Sequence, residues 1–129
     1  MELRAAVSDY LRGHQVPEAA AKYLELKRLD SEQVLSVQDQ LDVSNQLMSE
    51  GRYAEAAEAY EDYLRTYPRA PQNEQVELIL GLIYARYLPR PVRAVELLKG
   101  VLERLHDSGQ RALAEEELAR LAGGGTHRM

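Results

Sequence analysis

Residues 51–68 read GRYAEAAEAYEDYLRTYP, a stretch with the spacing of one helix that has a defined start and stop. Gly51 stands before it, where the chain must turn, and Pro68 stands after it, where a helix must end. Between them Ala56 and Tyr60 lie four residues apart, so a small and a bulky side chain share one helical face. Such a face favours close packing, and we predict a helix that is one member of a packed pair.

The same character extends over the whole chain. Helix formers dominate and apolar residues recur at steps of three and four, which predicts an all-helical protein without strands. Short turn segments interrupt this pattern at 13–17, 29–31, 50–52, 67–73, 88–91, 106–109 and 123–125. They divide the chain into about seven helices, and such short linkers predict antiparallel neighbours, that is, successive helix hairpins.

Several helix starts carry chemical signals. Pro17 and Pro91 stand where a first turn would begin, a position that tolerates a missing N–H. Two further starts have the spacing of a capping box, Asp30 with Gln33 and Asp107 with Gln110.

The hairpins repeat every 37 residues. On the first helices the equivalent residues are Val7, Ser44 and Gly81, then Tyr10, Leu47 and Tyr84; on the second they are Ala19, Ala56 and Ala94, then Tyr23, Tyr60 and Leu98. The step from Ala56 to Ala94 is 38 residues, which one extra residue in the turn at 88–91 explains. A regular repeat predicts stacked helical units.

The middle hairpin carries the fullest motif: Gln40, Val43, Ser44 and Leu47 on its first helix, then Gly51, Tyr53, Ala56, Tyr60 and Pro68. The third has Leu80-Gly81, Tyr84 and Ala94, and the first has Ala6-Val7, Tyr10, Ala19 and Tyr23, with Ser31 in the place of the proline. In these residues the chain resembles the tetratricopeptide repeat family over about residues 3 to 106. The resemblance implies a right-handed α-solenoid of antiparallel hairpins.

The expected domain spans residues 1–122, with hairpins at about 2–29, 31–67 and 72–105 and a capping helix at about 109–121; 123–129 are expected to form a disordered tail. The unit is longer than the 34 residues usual in the family, and the chain has no Trp. Leu26, Tyr63 and Val101 stand where the family favours alanine, so we expect helix spacing or crossing angles to differ there.

Composition narrows the classes of function. The 129 residues, 45% of them apolar, contain no run of ~20 apolar residues that could span a membrane. The amino-terminal stretch lacks the apolar run of a secretory signal, so a cytoplasmic protein is expected. Without cysteine there are no disulfides, thiolate metal sites or cysteine nucleophiles. With 21 acidic against 16 basic residues and a net charge of −5, nucleic acid is not an expected partner.

Candidate chemical groups favour structural roles. The histidines, His14, His106 and His127, are too scattered to form a helical metal pair. The carboxylates of two helices, at Glu55, Glu58, Glu61 and Asp62 and at Glu115, Glu116 and Glu117, are expected on solvated faces. The tyrosines at 53, 60, 63 and 67 are expected in the core, although a ligand-stacking surface is the alternative. We therefore predict no enzymatic activity, cofactor or metal.

The family resemblance implies a binding groove on the first helices of the hairpins. Its residues would be Arg4, Ser8, Arg12, Gln38, Leu41, Asn45, Met48, Leu78, Leu82 and Arg86. Asn45 and the three arginines would hold the backbone or carboxylates of an acidic peptide, and the apolar members would accept apolar side chains. The alternative is that some of the leucines are core residues. One branch of the family binds carboxyl-terminal peptides through a set of Lys, Asn and Arg residues. Of the groove residues of this chain, only Asn45 matches that set well.

These features favour a non-enzymatic scaffold that binds a peptide or partner helix in the groove of the array. A second hypothesis makes the chain a soluble accessory, spacer or oligomerisation region of a membrane-associated protease or envelope assembly. That hypothesis rests on analogy, and it leaves self-association open.

Overall fold

The computed structural model describes residues 2–126, which form seven α-helices and no strand. These are α1 (Glu2–Arg12), α2 (Val16–Leu29), α3 (Val37–Ser49), α4 (Tyr53–Thr66), α5 (Asn73–Arg86), α6 (Pro91–Leu102) and α7 (Ser108–Thr126). The predicted all-helical class with seven helices is confirmed. Within this range no helix combines the length and the apolarity needed to cross a bilayer.

The chain divides into two compact units between Ala70 and Pro71. In unit 1, which holds α1 to α4, each helix packs against the next along the chain. In unit 2, α6 packs against both α5 and α7, and α7 also contacts α5. Packing between consecutive helices is compatible with a helical repeat.

Helix starts follow the sequence signals in part. Pro17 and Pro91 lie in the first turns of α2 and α6, as predicted. Asp107 caps α7, because its Oδ1 accepts a hydrogen bond from the Gln110 backbone N–H at 2.8 Å. A capping box has two hydrogen bonds, and the one between the Asp107 side chain and the backbone of Gln110 is confirmed.

The capping box expected at Asp30 was wrong. Its carboxylate accepts hydrogen bonds from the Glu32 backbone N–H and the Gln33 side chain, both at 3.1 Å, but α3 begins only at Val37, after Ser36. An aspartate that bonds the N–H two residues ahead forms a turn of its own, which competes with helix initiation. Residues 30–36 are therefore a connecting loop.

The last helix is longer than expected. It extends to Thr126, whereas the capping helix was predicted to end near 121 and a tail to begin at 123. Glycine lowers helix stability by about 1 kcal/mol relative to alanine but, unlike proline, keeps its N–H, so glycines at 123–125 can continue a helix. Residues 127–129, including His127, lie outside the described residues.

The predicted repeat positions form the cores of the two units. Each of these sets is buried: Val7, Ser44 and Gly81; Ala19, Ala56 and Ala94; Tyr23, Tyr60 and Leu98; and the enlarged Leu26, Tyr63 and Val101. Tyr10 is half-buried, unlike its equivalents Leu47 and Tyr84. Of the tyrosine stripe, Tyr60 and Tyr63 are fully buried, which confirms their core role.

The backbone repeats with the sequence. At the end of α1, Gln15 N–H bonds Tyr10 C=O at 2.8 Å, and at the end of α3 the equivalent Arg52 N–H bonds Leu47 C=O at 3.0 Å. At the end of α5 the bond runs one residue further, from Arg90 N–H to Tyr84 C=O at 3.0 Å. The extra residue predicted in the turn at 88–91 is thus absorbed inside the turn.

One of these turns holds a residue poorly suited to it. His14 and Gly51 occupy the same place after α1 and α3, with φ of 61° and 76°. A side chain costs about 1–2 kcal/mol in this left-handed conformation, whereas glycine adopts it freely. We expect His14→Gly to stabilise the protein by about 1 kcal/mol and Gly51→Ala to destabilise it by a similar amount. Urea unfolding of both variants tests this, and equal effects of one sign would contradict it.

Gly81 permits the close approach of α5 and α6. A Cβ atom there would lie 2.8 Å from Leu98 Cδ2 and 2.9 Å from its Cγ, and Leu98 is fully buried. Gly100, on α6, has open space around it.

We expect Gly81→Ala to destabilise the protein by about 1 kcal/mol, because overpacking outweighs the gain in helix propensity. The matched change Gly100→Ala should stabilise it by about 0.5–1 kcal/mol. Chemical denaturation of the two variants gives the comparison. A stabilised Gly81→Ala protein would show that α6 yields at this contact.

Candidate functional site

Seven of the ten predicted groove residues lie on the first helices of unit 1. We call them the unit 1 face: Arg4, Ser8 and Arg12 on α1, and Gln38, Leu41, Asn45 and Met48 on α3. The arginines, Gln38 and Asn45 are exposed, and Ser8 and Met48 are half-buried. The face therefore offers both polar and apolar contacts to a partner.

The two arginines of this face already have acceptors within the chain. The Arg4 guanidinium donates to Gln33 Oε1 at 3.1 Å and to Val34 C=O at 2.9 Å, so it holds the 30–36 loop beside α1. Arg12 pairs with Asp9, one turn earlier on its own helix. Both members of that pair are about two-thirds exposed, and such pairs contribute only about 0–1 kcal/mol. A partner carboxylate can therefore replace Asp9 at low cost.

Asn45 is a polar group of the face that is held from inside the protein. Its Oδ1 accepts a hydrogen bond from the buried Tyr60 hydroxyl at 2.5 Å. Burial raises the pKa of Tyr60, which keeps this hydroxyl protonated and able to donate. The bond fixes the amide plane, and an amide whose oxygen is held from inside presents its nitrogen as a donor to a partner.

Leu41 contributes less to the face than predicted. It is buried, with 9% of its surface exposed, whereas Met48 is half-buried about two turns further along α3. The alternative that some of the groove leucines are core residues holds for Leu41. Met48 is left as the accessible apolar contact of α3.

A buried glutamine on α3 links this helix to its neighbours, and the sequence did not predict that role. Gln40 is fully buried on α3; its Nε2 donates to the Tyr23 hydroxyl at 3.1 Å and to Ala59 C=O at 3.0 Å. Its Oε1 accepts from Leu35 N–H at 3.0 Å. One side chain thus joins α2, α4 and the 30–36 loop to α3. A glutamine in a motif position for a large apolar side chain is the signal that could have revealed it.

The hydroxyl at the far end of this network stays neutral. Burial raises the pKa of Tyr23 to about 12, against a partial lowering by the bond from Gln40. The network therefore contains no ionised group near neutral pH, and it acts by orientation alone.

The carboxylate of Asp62 corrects the prediction of a solvated face on α4. Asp62 is buried, and its Oδ2 lies 2.7 Å from Lys27 Nζ on α2; the two side chains are 7% and 10% exposed. Lys27 also donates to the carbonyls of Ser31 and Gln33, and Arg65 pairs with the other Asp62 oxygen. Glu58 is exposed as predicted, and Glu55 and Glu61 are half-buried.

The remaining groove residues, Leu78, Leu82 and Arg86, lie on α5 in unit 2 and contact the last helix. Leu78 belongs to a buried cluster with Ala114 of α7, and Leu82 packs against the same cluster. Arg86 donates to Glu117 Oε2 through Nε at 2.9 Å and Nη2 at 2.5 Å. The alternative that some groove leucines are core residues therefore holds for Leu78 as well, whereas the pairing of Arg86 with Glu117 was not indicated by the sequence.

Glu117 is the second exception to the solvated acidic faces, since it is buried while Glu115 and Glu116 are exposed. Burial opposes its ionisation, but hydrogen bonds from Arg86 and Arg120 outweigh that effect and hold its pKa below the ordinary value. Arg120 also donates to Ala85 C=O at 3.2 Å. Glu117 therefore links α7 to α5 as an anion.

The arrangement of the unit 1 face suits binding. Within the described part of the chain, no three His, Cys, Asp or Glu residues are grouped so as to hold a metal ion. His14 lies exposed in a turn and His106 exposed before α7. The face offers an oriented amide, replaceable guanidinium partners and an apolar side chain, which together can hold a polypeptide segment.

No protein-family model matches this sequence, and no curated protein is significantly similar to it.

Proposed function

We propose that the protein is a tetratricopeptide-like interaction module that binds a peptide or partner helix through the first helices of its hairpins. The observation that carries the proposal is the held amide of Asn45, beside the half-buried Met48 on α3. A polar group oriented by a buried hydroxyl is typical of a preorganised contact, because binding then costs little side-chain entropy. The repeated hairpin turns and buried repeat positions support the family assignment.

The charge of the face favours a partner with acidic groups. Arg4 and Arg12 are exposed, and neither is held by a buried carboxylate. A partner carboxylate on Arg12 would replace the exposed pair with Asp9 by a new pair that loses water on binding. The attraction between the two charges of the new pair is then stronger. Affinity would come from a few anchors, and Met48 and Asn45 are the two that the geometry supports.

A display selection from a random peptide library, followed by affinity measurement on the full chain, tests this proposal. We expect selected peptides to lose at least tenfold in affinity for Met48→Asp and for Asn45→Ala. Glu58→Ala, an exposed change on α4, is the matched control and should bind as the wild type does. If all peptides bind the three variants equally, the unit 1 face is not the binding surface.

A further inference from the structure

The last helix occupies the part of α5 that corresponds to the unit 1 face. One repeat back, Leu78 and Leu82 correspond to Leu41 and Asn45 on α3, and two repeats back Arg86 corresponds to Arg12 on α1. In unit 2, Arg86 bonds Glu117 of α7, and Leu78 shares a buried cluster with Ala114 of α7, against which Leu82 packs. The chain therefore contains one example of a helix bound on a first-helix face.

The contacts of α7 describe what such a face accepts. The Glu117 carboxylate takes two N–H groups from Arg86 on one oxygen, and Arg120 bonds its other oxygen. Leu118 and Leu121 pack against the cluster that contains Leu78. The pattern that α5 binds is thus a carboxylate paired with its arginine, followed by leucines one and four residues further along the bound helix.

α7 buries few apolar side chains. Ala114 is its only fully buried apolar side chain among residues 108–123, whereas Leu118 and Leu121 are half-buried. By contrast α5 buries Val76, Leu80 and Ile83. Elements with few buried apolar contacts open locally at the lowest free energy.

We propose that α7 is a displaceable latch, and that the partner of α5 is an acidic amphipathic helix carrying the same carboxylate and leucine pattern. This inference rests on the proposed function and names the chemistry of its partner. When α7 is released, Arg86, Leu78 and Leu82 become available, and a helix that supplies a carboxylate and two leucines restores the contacts that α7 gave up. The apparent affinity for that helix is set by the fraction of molecules in which α7 is open.

The probe is a fluorescently labelled peptide of residues 108–122, titrated into the full-length chain and followed by anisotropy. In Glu117→Gln the latch loses its charge while Arg86 is kept, so we expect the peptide to bind at least tenfold more tightly than it binds the wild type. In Arg86→Ala the same ion pair is broken, but the receptor for the carboxylate is lost, so no gain is expected. A peptide with glutamine at the place of Glu117 is the matched control: it should bind every protein that keeps Arg86 more weakly, and it should gain from Glu117→Gln by the same factor, because opening of α7 does not depend on the peptide.

A purely structural ion pair would give the same result for both variants, and equal affinities would overturn the latch. Absence of peptide binding to Glu117→Gln would overturn it as well. Hydrogen exchange should show faster exchange in α7 of this variant while α5 stays protected. If Glu117→Gln does not fold, Leu121→Ala loosens α7 in the same direction, and an unchanged peptide affinity for it would overturn the latch. The peptides selected on Met48 and Asn45 test the unit 1 face separately, so either result can fail without the other.

Discussion

Asp62→Ala is expected to lower the free energy of unfolding by about 3–5 kcal/mol, because it leaves Lys27 charged and buried without its partner. The Lys27–Asp62 pair is 2.7 Å long and almost fully enclosed, and it joins α2 to α4. Water reaches the ammonium group poorly, so the lost attraction is not replaced by hydration. Urea unfolding followed by circular dichroism measures the effect.

Two control variants separate the stranded charge from other causes. Glu58→Ala changes an exposed carboxylate one turn earlier on α4 and should alter stability by less than about 0.5 kcal/mol. The double variant Lys27→Met with Asp62→Leu removes both charges, and it should recover most of the loss because apolar residues can replace a buried pair. A loss below about 1 kcal/mol for Asp62→Ala would mean that Lys27 reaches solvent.

Gln40→Leu is expected to destabilise the protein by about 3 kcal/mol, although leucine has a similar volume and is apolar. The change leaves the Leu35 N–H, the Ala59 carbonyl and the Tyr23 hydroxyl without the hydrogen bonds that Gln40 gives them. Each buried polar group that loses its partner costs about 1–3 kcal/mol. Thermal and urea unfolding should show the same ranking relative to the wild type.

The matched control is Gln38→Leu, on the same helix but exposed. Its side chain donates only to the neighbouring Asp42, at 2.8 Å, so the effect should stay within about 0.5 kcal/mol. Since the two variants exchange the same residue types two positions apart, their difference reports the buried network. Equal effects would show that the three groups find other partners when Gln40 is lost.

Part of this architecture could be predicted from local chemistry. Gly51 marked a turn that needs positive φ, and the 37-residue spacing marked equivalent buried positions such as Ala19, Ala56 and Ala94. These features follow from backbone conformation and side-chain size, which act over a few residues. The start of α3 could not be predicted in the same way, because the Asp30 carboxylate forms a turn in competition with a helix cap.

The candidate site was predicted less fully. Arg12 and Arg86 have the same place in the repeat, yet one pairs with an exposed aspartate and the other with a buried glutamate of another helix. The neighbouring residues in the sequence do not distinguish the environment of Arg12 from that of Arg86. The partner of Arg86 lies 31 residues further along the chain, and only the docking of α7 brings it there.

By itself, then, the sequence determined an all-helical chain of repeated hairpins, where small and bulky residues alternate at fixed spacing and turns fall at glycine and proline. Tertiary structure alone decided that Gln40, Asp62 and Glu117 are buried. Helical periodicity states which side of a helix a residue is on. Whether a carboxylate on that side meets water or a cation depends on residues far away in the chain, because burial and charge pairing are properties of packed helices and not of a single one.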